Sequence, residues 1–282
     1  MTLDWQRWPA PAKLNLMLRI TGRRNDGYHE LQTVFQLLAW GDDIDLAVTT
    51  DGRVIRESGP QGVSELEDLC VRAARLLQPY AHSAAGVRLR VNKRIPIGAG
   101  LGGGSSDAAT VLKALNRLWR CGLSNEQLSD LGLTLGADVP VFVHGRSAFA
   151  EGIGERLQPL DLGERDYVLV FPDVQISTAE LFAAPDLPRA AKPLAMHEWA
   201  ANDENVFQDL VIRRYPELEE MFENLALEGR PRLTGTGSCI FMAMEDTVCA
   251  QAAAGRLNYR YNAVAVQGVN SSPVASMGAS ED

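Results

Sequence analysis

The stretch Pro96-Ile97-Gly98-Ala99-Gly100-Leu101-Gly102-Gly103-Gly104-Ser105-Ser106 constrains this chain more than any other. It holds five glycines in the seven positions 98–104. It leads from a segment of strand alternation (Val87, Leu89, Val91) into a helical one, where Ala108, Val111, Leu112, Leu115, Leu118 and Trp119 keep one apolar face. Backbone without Cβ atoms can turn its N–H groups inward and approach an anion closely, and the following helix adds its N-terminal amides and dipole. The pattern predicts a phosphate cradle. Ser105 or Ser106 is expected to cap the helix, and either hydroxyl to reach a phosphate or a magnesium ion. A branched side chain at Gly103 should block the phosphates and strain a positive-φ position.

Three other readings compete for this stretch. A Walker A loop requires G-x-x-x-x-G-K-[ST]; Gly98 and Gly103 are spaced for it, but Gly104 stands where lysine is needed. Gly98-x-Gly100-x-x-Gly103 satisfies the dinucleotide pattern, yet Pro96 interrupts the run from strand to loop and no acidic residue ends a strand about twenty residues later. A flexible hinge is the bland alternative, and hinges rarely run straight into an amphipathic helix.

Composition limits what surrounds the loop. With 46% hydrophobic and 22% charged residues the chain has material for a substantial core, which excludes disorder, a coiled coil and a stapled mini-protein. The longest apolar runs, 167–171 and 239–244, fall far short of the roughly 20 residues that cross a bilayer. A formal charge of -9 argues against broad attraction to nucleic acid or anionic membrane, so an anionic ligand must be held locally by a few cations or amides. Cys70, Cys121, Cys239 and Cys249 form no C-x-x-C pair and read as reduced core thiols of a cytoplasmic protein. The histidines are scattered, without a metal-ligand spacing. The N-terminus lacks a basic segment followed by an apolar one, so the mature chain is expected to begin at or near Met1.

Periodicity predicts a mixed architecture. Leu14, Leu16, Leu18 and Ile20 alternate with Lys13, Asn15, Met17 and Arg19, the period of a half-buried strand that presents Lys13 and Asn15 on one face. Asn25-Asp26-Gly27 is a turn, followed by strands over 31–38 and 44–48. Helices are expected over 68–77 and 125–135, and a strand over 147–150. Residues 152–162 read as loop, and a new unit opens with a strand at 167–171. Beyond a Pro- and Ala-rich connection (183–193) follow a helical region over 206–227, a strand over 239–244, a helix over 247–257 and a strand over 263–266. Without strict alternation this is an α+β fold rather than a doubly wound sheet, with domains expected over 1–158 and 159–282 and frayed ends over 276–282.

Pro96-x-x-x-Gly100-Leu101-Gly102-Gly103-Gly104-Ser105-Ser106 resembles the phosphate-binding loop of the GHMP kinases. Pro11-Ala12-Lys13-Leu14-Asn15-Leu16 with Gly22-Arg23-Arg24-Asn25-Asp26-Gly27-Tyr28-His29, then Gly136-Ala137-Asp138-Val139-Pro140 and Leu233-Thr234-Gly235-Thr236-Gly237-Ser238, resemble the motifs of the branch that acts on a cytidine-diphosphate-linked methylerythritol. They come in family order over positions 11–238. One departure is Asp68-Leu69, where the branch often has Asn-Leu near the adenine side. The resemblance implies a two-domain α+β GHMP kinase fold with the active site in the interdomain cleft, and ATP held mainly by the N-terminal domain. Its implied reaction is ATP-dependent phosphorylation of the 2-hydroxyl of that substrate, in isoprenoid precursor biosynthesis. Another GHMP small-molecule kinase and a non-catalytic nucleotide-binding protein are the alternatives.

Phosphoryl transfer needs a cradle, charge neutralisation and a positioned alcohol. The resemblance picks out Asp138 as general base. Lying between Gly136 and Pro140, it sits on a short constrained connection, although it equally suits the N-cap of a helix starting at Val139. A carboxylate is a poor base toward an alcohol, but a loose transition state delays proton transfer until the oxygen is bonding to phosphorus. Lys13 is the matching cation, able to orient Asp138 and stabilise the transferred group; read alone, it is an ordinary solvated lysine. Tyr28 can stack on a base and His29 pair with its edge, or both can be a packing cap on the turn. The resemblance adds Phe182 on the other face of the base, where adjoining Leu181 equally suggests core. Asn15 is expected to hydrogen-bond substrate. Gly235, Thr236 and Gly237 read either as an amide-rich surface facing the diphosphate or as an ordinary turn. Mg²⁺ should accompany ATP with few protein ligands, which no motif identifies.

Overall fold

A computed structural model of the chain describes residues 3–82 and 84–273; the expected frayed end at 276–282 lies outside them. The elements are β1 (Gln6–Arg23), β2 (His29–Thr49), β3 (Val54–Ser58), α1 (Leu69–Leu77), β4 (Gly86–Asn92), α2 (Gly103–Leu118), α3 (Asn125–Leu133), α4 (Val139–His144), β5 (Ala148–Gly152) and β6 (Arg156–Pro159). Then follow β7 (Asp166–Phe171), α5 (Thr178–Ala183), α6 (Gln208–Arg214), α7 (Pro216–Leu225), β8 (Arg232–Leu233), β9 (Ile240–Met244), α8 (Thr247–Leu257) and β10 (Asn262–Val269). The sheet runs β3-β4-β2-β10-β7-β9-β8, with β1 and β5 also on β2 and β6 on β5. All pairs are antiparallel except β3 with β4, which α1 joins in parallel. Periodicity missed β3 because it is an edge strand in which only Val54 is buried.

Several expectations need correction. β1 is buried on both faces instead of half-buried: Lys13, Asn15 and Met17 are as enclosed as Leu14 and Leu16. Trp8 and Ala10 pack with α1, α2 and β4, residues Ala12, Leu14, Leu16 and Met17 join a central cluster with Leu101 and Phe241, and Leu18 and Ile20 pack with Val168 and Phe207. Over 10–18, threaded between three packed bodies, the strand has no solvent face, whereas Gln6, Arg7 and Arg23 at its ends are exposed. Residues 152–162 include β6, paired with β5. The helical region 206–227 breaks at Tyr215, because Pro216 cannot extend α6 and instead opens α7. Cys70 and Cys239 are core thiols, whereas Cys121 and Cys249 are partly exposed; all four are free.

The glycine-rich loop is shaped by alternation. Gly98, Gly100 and Gly102 take φ of 76°, 74° and 71°, while Ala99 and Leu101 between them are buried anchors. The Ala99 carbonyl accepts from Cys239 N at 3.2 Å and the Leu101 carbonyl from Lys13 N at 3.0 Å. Gly102, not a serine, is the N-cap of α2 and makes no side-chain cap bond, because the left-handed turn into the helix favours glycine. Gly103 is already helical and has no positive φ; a Cβ there would instead lie 3.1 Å from Ile95 and Lys93 side-chain atoms.

Gly98 and Gly100 share a φ but differ in surroundings. A Cβ on Gly98 meets nothing within 4 Å, whereas one on Gly100 would lie 2.4 Å from the Thr234 carbonyl oxygen. Urea unfolding should therefore show Gly98→Ala losing about 1–2 kcal/mol from backbone strain alone, and Gly100→Ala about 2–4 kcal/mol from strain plus overlap. Equal losses would show that the loop does not lean on the 234–237 turn.

Candidate active site

The loop is a wall between two cavities. On one side a cavity of about 740 Å³ is lined by Lys13, Asp138, Tyr28, His29, Phe182 and Thr236, among others. On the other a cavity of about 330 Å³ is lined by Leu69, Val91, Lys93, Pro96 and Ile97. Gly98, Gly100, Gly102 and Ser105 face both, while Ala99, Leu101, Gly103 and Gly104 line only the smaller one. Ser106 is fully buried in the first turn of α2, and its hydroxyl oxygen has no hydrogen-bonding partner. A phosphate chain laid along this wall would connect the two spaces.

At the wall, three elements converge on one ammonium group. Lys13 Nζ donates to Asn15 Oδ1 at 2.7 Å and to the Gly100 carbonyl at 2.9 Å, and lies 3.4 Å from Asp138 Oδ2. It also sits 5.5 Å from the centre of the Phe35 ring. The lysine side chain is 4% exposed and that of Asp138 33%, so a buried, pre-aimed cation faces a carboxylate open to the cavity. Asp138 occupies the N-cap position of α4 but makes no capping bond. Its carboxylate is thus spent on Lys13 and the cavity rather than on helix amides.

Asn15 is drawn inward. Its Oδ1 accepts from Lys13, its Nδ2 donates to Thr33 Oγ1 at 2.8 Å, and the Thr33 hydroxyl in turn donates to the Met17 carbonyl at 2.6 Å. Asn15 therefore orients Lys13 from below, at the cavity wall. Thr234, which the sequence motif carried but no reading singled out, receives Asn15 N on its hydroxyl at 3.0 Å. Gly235 and Thr236 border the large cavity. Gly237 does not; a Cβ there would press on Ile176 and Leu233, so it serves the turn's fit to the core.

Ten residues along β1 from Lys13, where Arg23 pairs with His29, the lining of the large cavity is aromatic. Tyr28 is exposed on the turn, at 59%. His29 is buried with its ring 5.1 Å from that of Phe182, which meets Phe207 edge-on at 4.9 Å. Phe182 is thus both partly buried and cavity-lining. Burial, then the charges of Arg189 and Arg23, hold the His29 imidazole below its usual pKa and therefore neutral.

In the smaller cavity Asp68 is engaged locally. It caps α1 through Cys70 N at 2.8 Å and pairs with Arg56. Lys93 bridges Asp42 and Asp107, the latter at 2.8 Å, and Asp42 also accepts from the backbone of Arg94 and Ile95 where the loop begins. Sequence spacing gave no sign of this trio, since its members are brought together by β2, β4 and α2. Burial pushes the Asp107 carboxyl up to about 7 despite Lys93. Among the described residues no group of three or more His, Cys, Asp or Glu is placed to hold a metal ion.

The profile described as the GHMP kinases N terminal domain matches residues 68–146. A protein of Xanthomonas oryzae pv. oryzae (strain MAFF 311018), named 4-diphosphocytidyl-2-C-methyl-D-erythritol kinase, is 52% identical over 96% of this chain and 93% of its own. One of the same name from Halorhodospira halophila is 50% identical over 96% of both chains. The chain belongs to the GHMP kinase family. A crystal structure of 4-(cytidine 5'-diphospho)-2C-methyl-D-erythritol kinase superposes on this GHMP kinase with a TM-score of 0.79 at 38% identity, over 94% of this chain and 100% of the other. The mevalonate kinase of Methanococcus jannaschii, at 15% identity and a TM-score of 0.68 over 95% and 99%, shares the fold. No helix among the described residues of this GHMP kinase is long and apolar enough to cross a membrane.

Two measurements test the site. Asp138→Asn and Lys13→Met should each lower kcat roughly 10²- to 10⁴-fold, and the double variant should be little worse than either single one in steady-state assays. Additive losses would show that the residues do not act as a pair. Although Asp107 pairs with Lys93, its burial outweighs that partner, so its pH effect on stability has the opposite sign to that of a carboxylate whose pKa is lowered on folding. Its folded pKa of about 7 lies above its ordinary value of 3.8, so the folded state keeps a proton that the unfolded state has already lost. Relative to Asp107→Asn, the wild-type protein should lose stability as pH rises from about 4 to 7, as read by urea unfolding at stepped pH. A flat difference would place the Asp107 charge elsewhere.

Proposed function

We propose that this GHMP kinase transfers the γ-phosphoryl group of ATP to the 2-hydroxyl of 4-diphosphocytidyl-2-C-methyl-D-erythritol, a step of isoprenoid precursor biosynthesis in the cytoplasm. The observation that carries the reading is a single cavity with the Lys13–Asp138 pair at the glycine wall and the Tyr28, His29 and Phe182 cluster at its other end. A ligand with a reacting alcohol at one end and a nucleobase at the other fits that polarity. The four free cysteines accord with a reducing compartment.

On this reading the loop 98–106 cradles the ATP phosphates through its amides other than those of Ala99 and Ser106, which the Pro96 and Gly102 carbonyls take, with adenine in the smaller cavity. The substrate hydroxyl lies at Asp138, its oxygen bonds to the γ-phosphorus as the bridge to the β-phosphate breaks, and its proton passes to the Asp138 carboxylate. ADP leaves with the bridging oxygen. Lys13 stabilises charge on the moving group without reorganising, because Asn15 and Gly100 already hold it. Gly235 and Thr236 face the diphosphate, Tyr28 and Phe182 enclose the cytosine, and His29 pairs with its edge. Mg²⁺ bound with ATP supplies charge neutralisation. Ser105, which faces both cavities, is the protein hydroxyl that would hold it, in keeping with an ion that retains most of its waters, while the unpartnered Ser106 hydroxyl lies behind it and lines neither cavity. We divide the chain near 158 and 159. In support, one core cluster comes from residues 8–150, while another comes from 168–263 with Leu18 and Ile20 of β1.

ADP release in Mg-ATP should require the cytidine-linked alcohol. The uridine analogue reverses donor and acceptor at two atoms of the base edge and should fall at least tens-fold in kcat/KM, at about 1 to 3 kcal/mol for each mismatched buried group. Homoserine and mevalonate have no base to stack and should be poor substrates. Good turnover of either, or equal turnover of the two analogues, would leave the GHMP assignment standing and remove the cytidine one.

A further inference from the structure

Arg189 is outside every motif, on the Pro- and Ala-rich connection after α5, yet all its hydrogen bonds converge beside the base end of the cavity. Its Nε lies 3.1 Å from His29 Nε2. Its NH1 donates to the Leu187 carbonyl at 3.0 Å, and its NH2 to the carbonyls of Phe182 at 2.9 Å and Ala184 at 2.6 Å. Three carbonyls therefore lock the plane of the guanidinium and the direction of its Nε–H.

A guanidinium Nε–H can only donate, so the His29 Nε2 it meets must offer a lone pair. A neutral imidazole with Nε2 as acceptor carries its proton on Nδ1. Protonation of Nε2 would set two N–H groups against each other and add a third cation beside Arg189 and Arg23, on top of the burial that already lowers the pKa of this histidine. Among the described residues Nδ1 has no protein partner, and His29 borders the large cavity. The free nitrogen is then a fixed donor. Cytosine N3 is an acceptor, whereas uracil N3 carries a hydrogen.

We infer that Arg189 is a specificity-determining positioning residue: it fixes His29 as the Nδ1–H tautomer, so that the site donates to a base acceptor and rejects a uridine-linked substrate. The same arginine holds the end of α5 through the Phe182 carbonyl and so sets ring and imidazole together. Lysine has no planar fork and cannot meet His29 and three carbonyls at once. The inference rests on the reading of His29 as the base-recognising side chain.

Long-range ¹H–¹⁵N spectra of the labelled wild-type protein at pH 7.5, with the His29 signals assigned by their loss in His29→Gln, should show one neutral Nδ1–H tautomer. In Arg189→Met the imidazole should shift toward the Nε2–H form. Its cytidine-over-uridine preference in kcat/KM should shrink by about 10-fold, with the change in KM for the cytidine-linked substrate rather than in KM for ATP. Arg189→Lys should behave like Arg189→Met if the fork, not the charge, sets the tautomer. An Nε2–H or doubly protonated His29 in the wild type would overturn the inference, with or without a folded Arg189→Met. So would a variant whose tautomer has switched while its base preference has not. Absence of wild-type turnover of the cytidine-linked alcohol would instead overturn the proposed substrate, leaving the tautomer result to stand by itself.

Discussion

The active-site wall depends on backbone pressed against backbone. Lys13 N holds the Leu101 carbonyl, Cys239 N holds the Ala99 carbonyl, and Lys13 Nζ holds that of Gly100. Those contacts allow no Cβ on Gly100, and Gly235 comes nearly as close from the opposite side. A loop proposed to turn amides toward an anion needs its carbonyls satisfied from behind. β1 and Cys239, just beyond the 234–237 turn, do that, which explains why a strand carrying a lysine and an asparagine lies in the middle of the molecule.

This arrangement also sets the electrostatics. Burying Lys13 would be costly without partners, and it receives two neutral oxygens, one carboxylate and an aromatic face. The ammonium is thereby held at the wall before any substrate arrives. Asp138 is left a third exposed, where an alcohol can reach it. Behind the loop, Lys93 ties β2 to α2 through two carboxylates, and Asp42 also holds the amides of Arg94 and Ile95 at the loop's entrance.

Legibility in the sequence followed the range of the interaction. The glycine-rich loop, its flanking strand and helix, and the motifs around Lys13 and Asp138 are local patterns and were readable as such. The two-sided burial of β1 was not, since alternation reports one covered face and says nothing of a second body packed on the other. Serine was expected to cap α2 because hydroxyls usually do, but left-handed geometry at Gly102 took precedence. Arg189 and the Asp42, Lys93 and Asp107 trio act across more than a hundred residues or between separate elements, where spacing carries no signal. Whether Asp138 caps a helix or faces substrate was open in the sequence; the absence of a capping bond and its approach to Lys13 favour the second.

The central claim is that the glycine loop carries the phosphate chain between the two cavities and delivers the γ-phosphate to Lys13 and Asp138. A crystal structure with a non-hydrolysable ATP analogue and 4-diphosphocytidyl-2-C-methyl-D-erythritol bound together tests it most directly. The account predicts adenine in the smaller cavity, phosphates against the 98–106 amides, the γ-phosphate within hydrogen-bonding distance of Lys13 Nζ, and the acceptor hydroxyl beside Asp138. A triphosphate lying away from the loop, or an acceptor hydroxyl out of reach of Asp138, would contradict it.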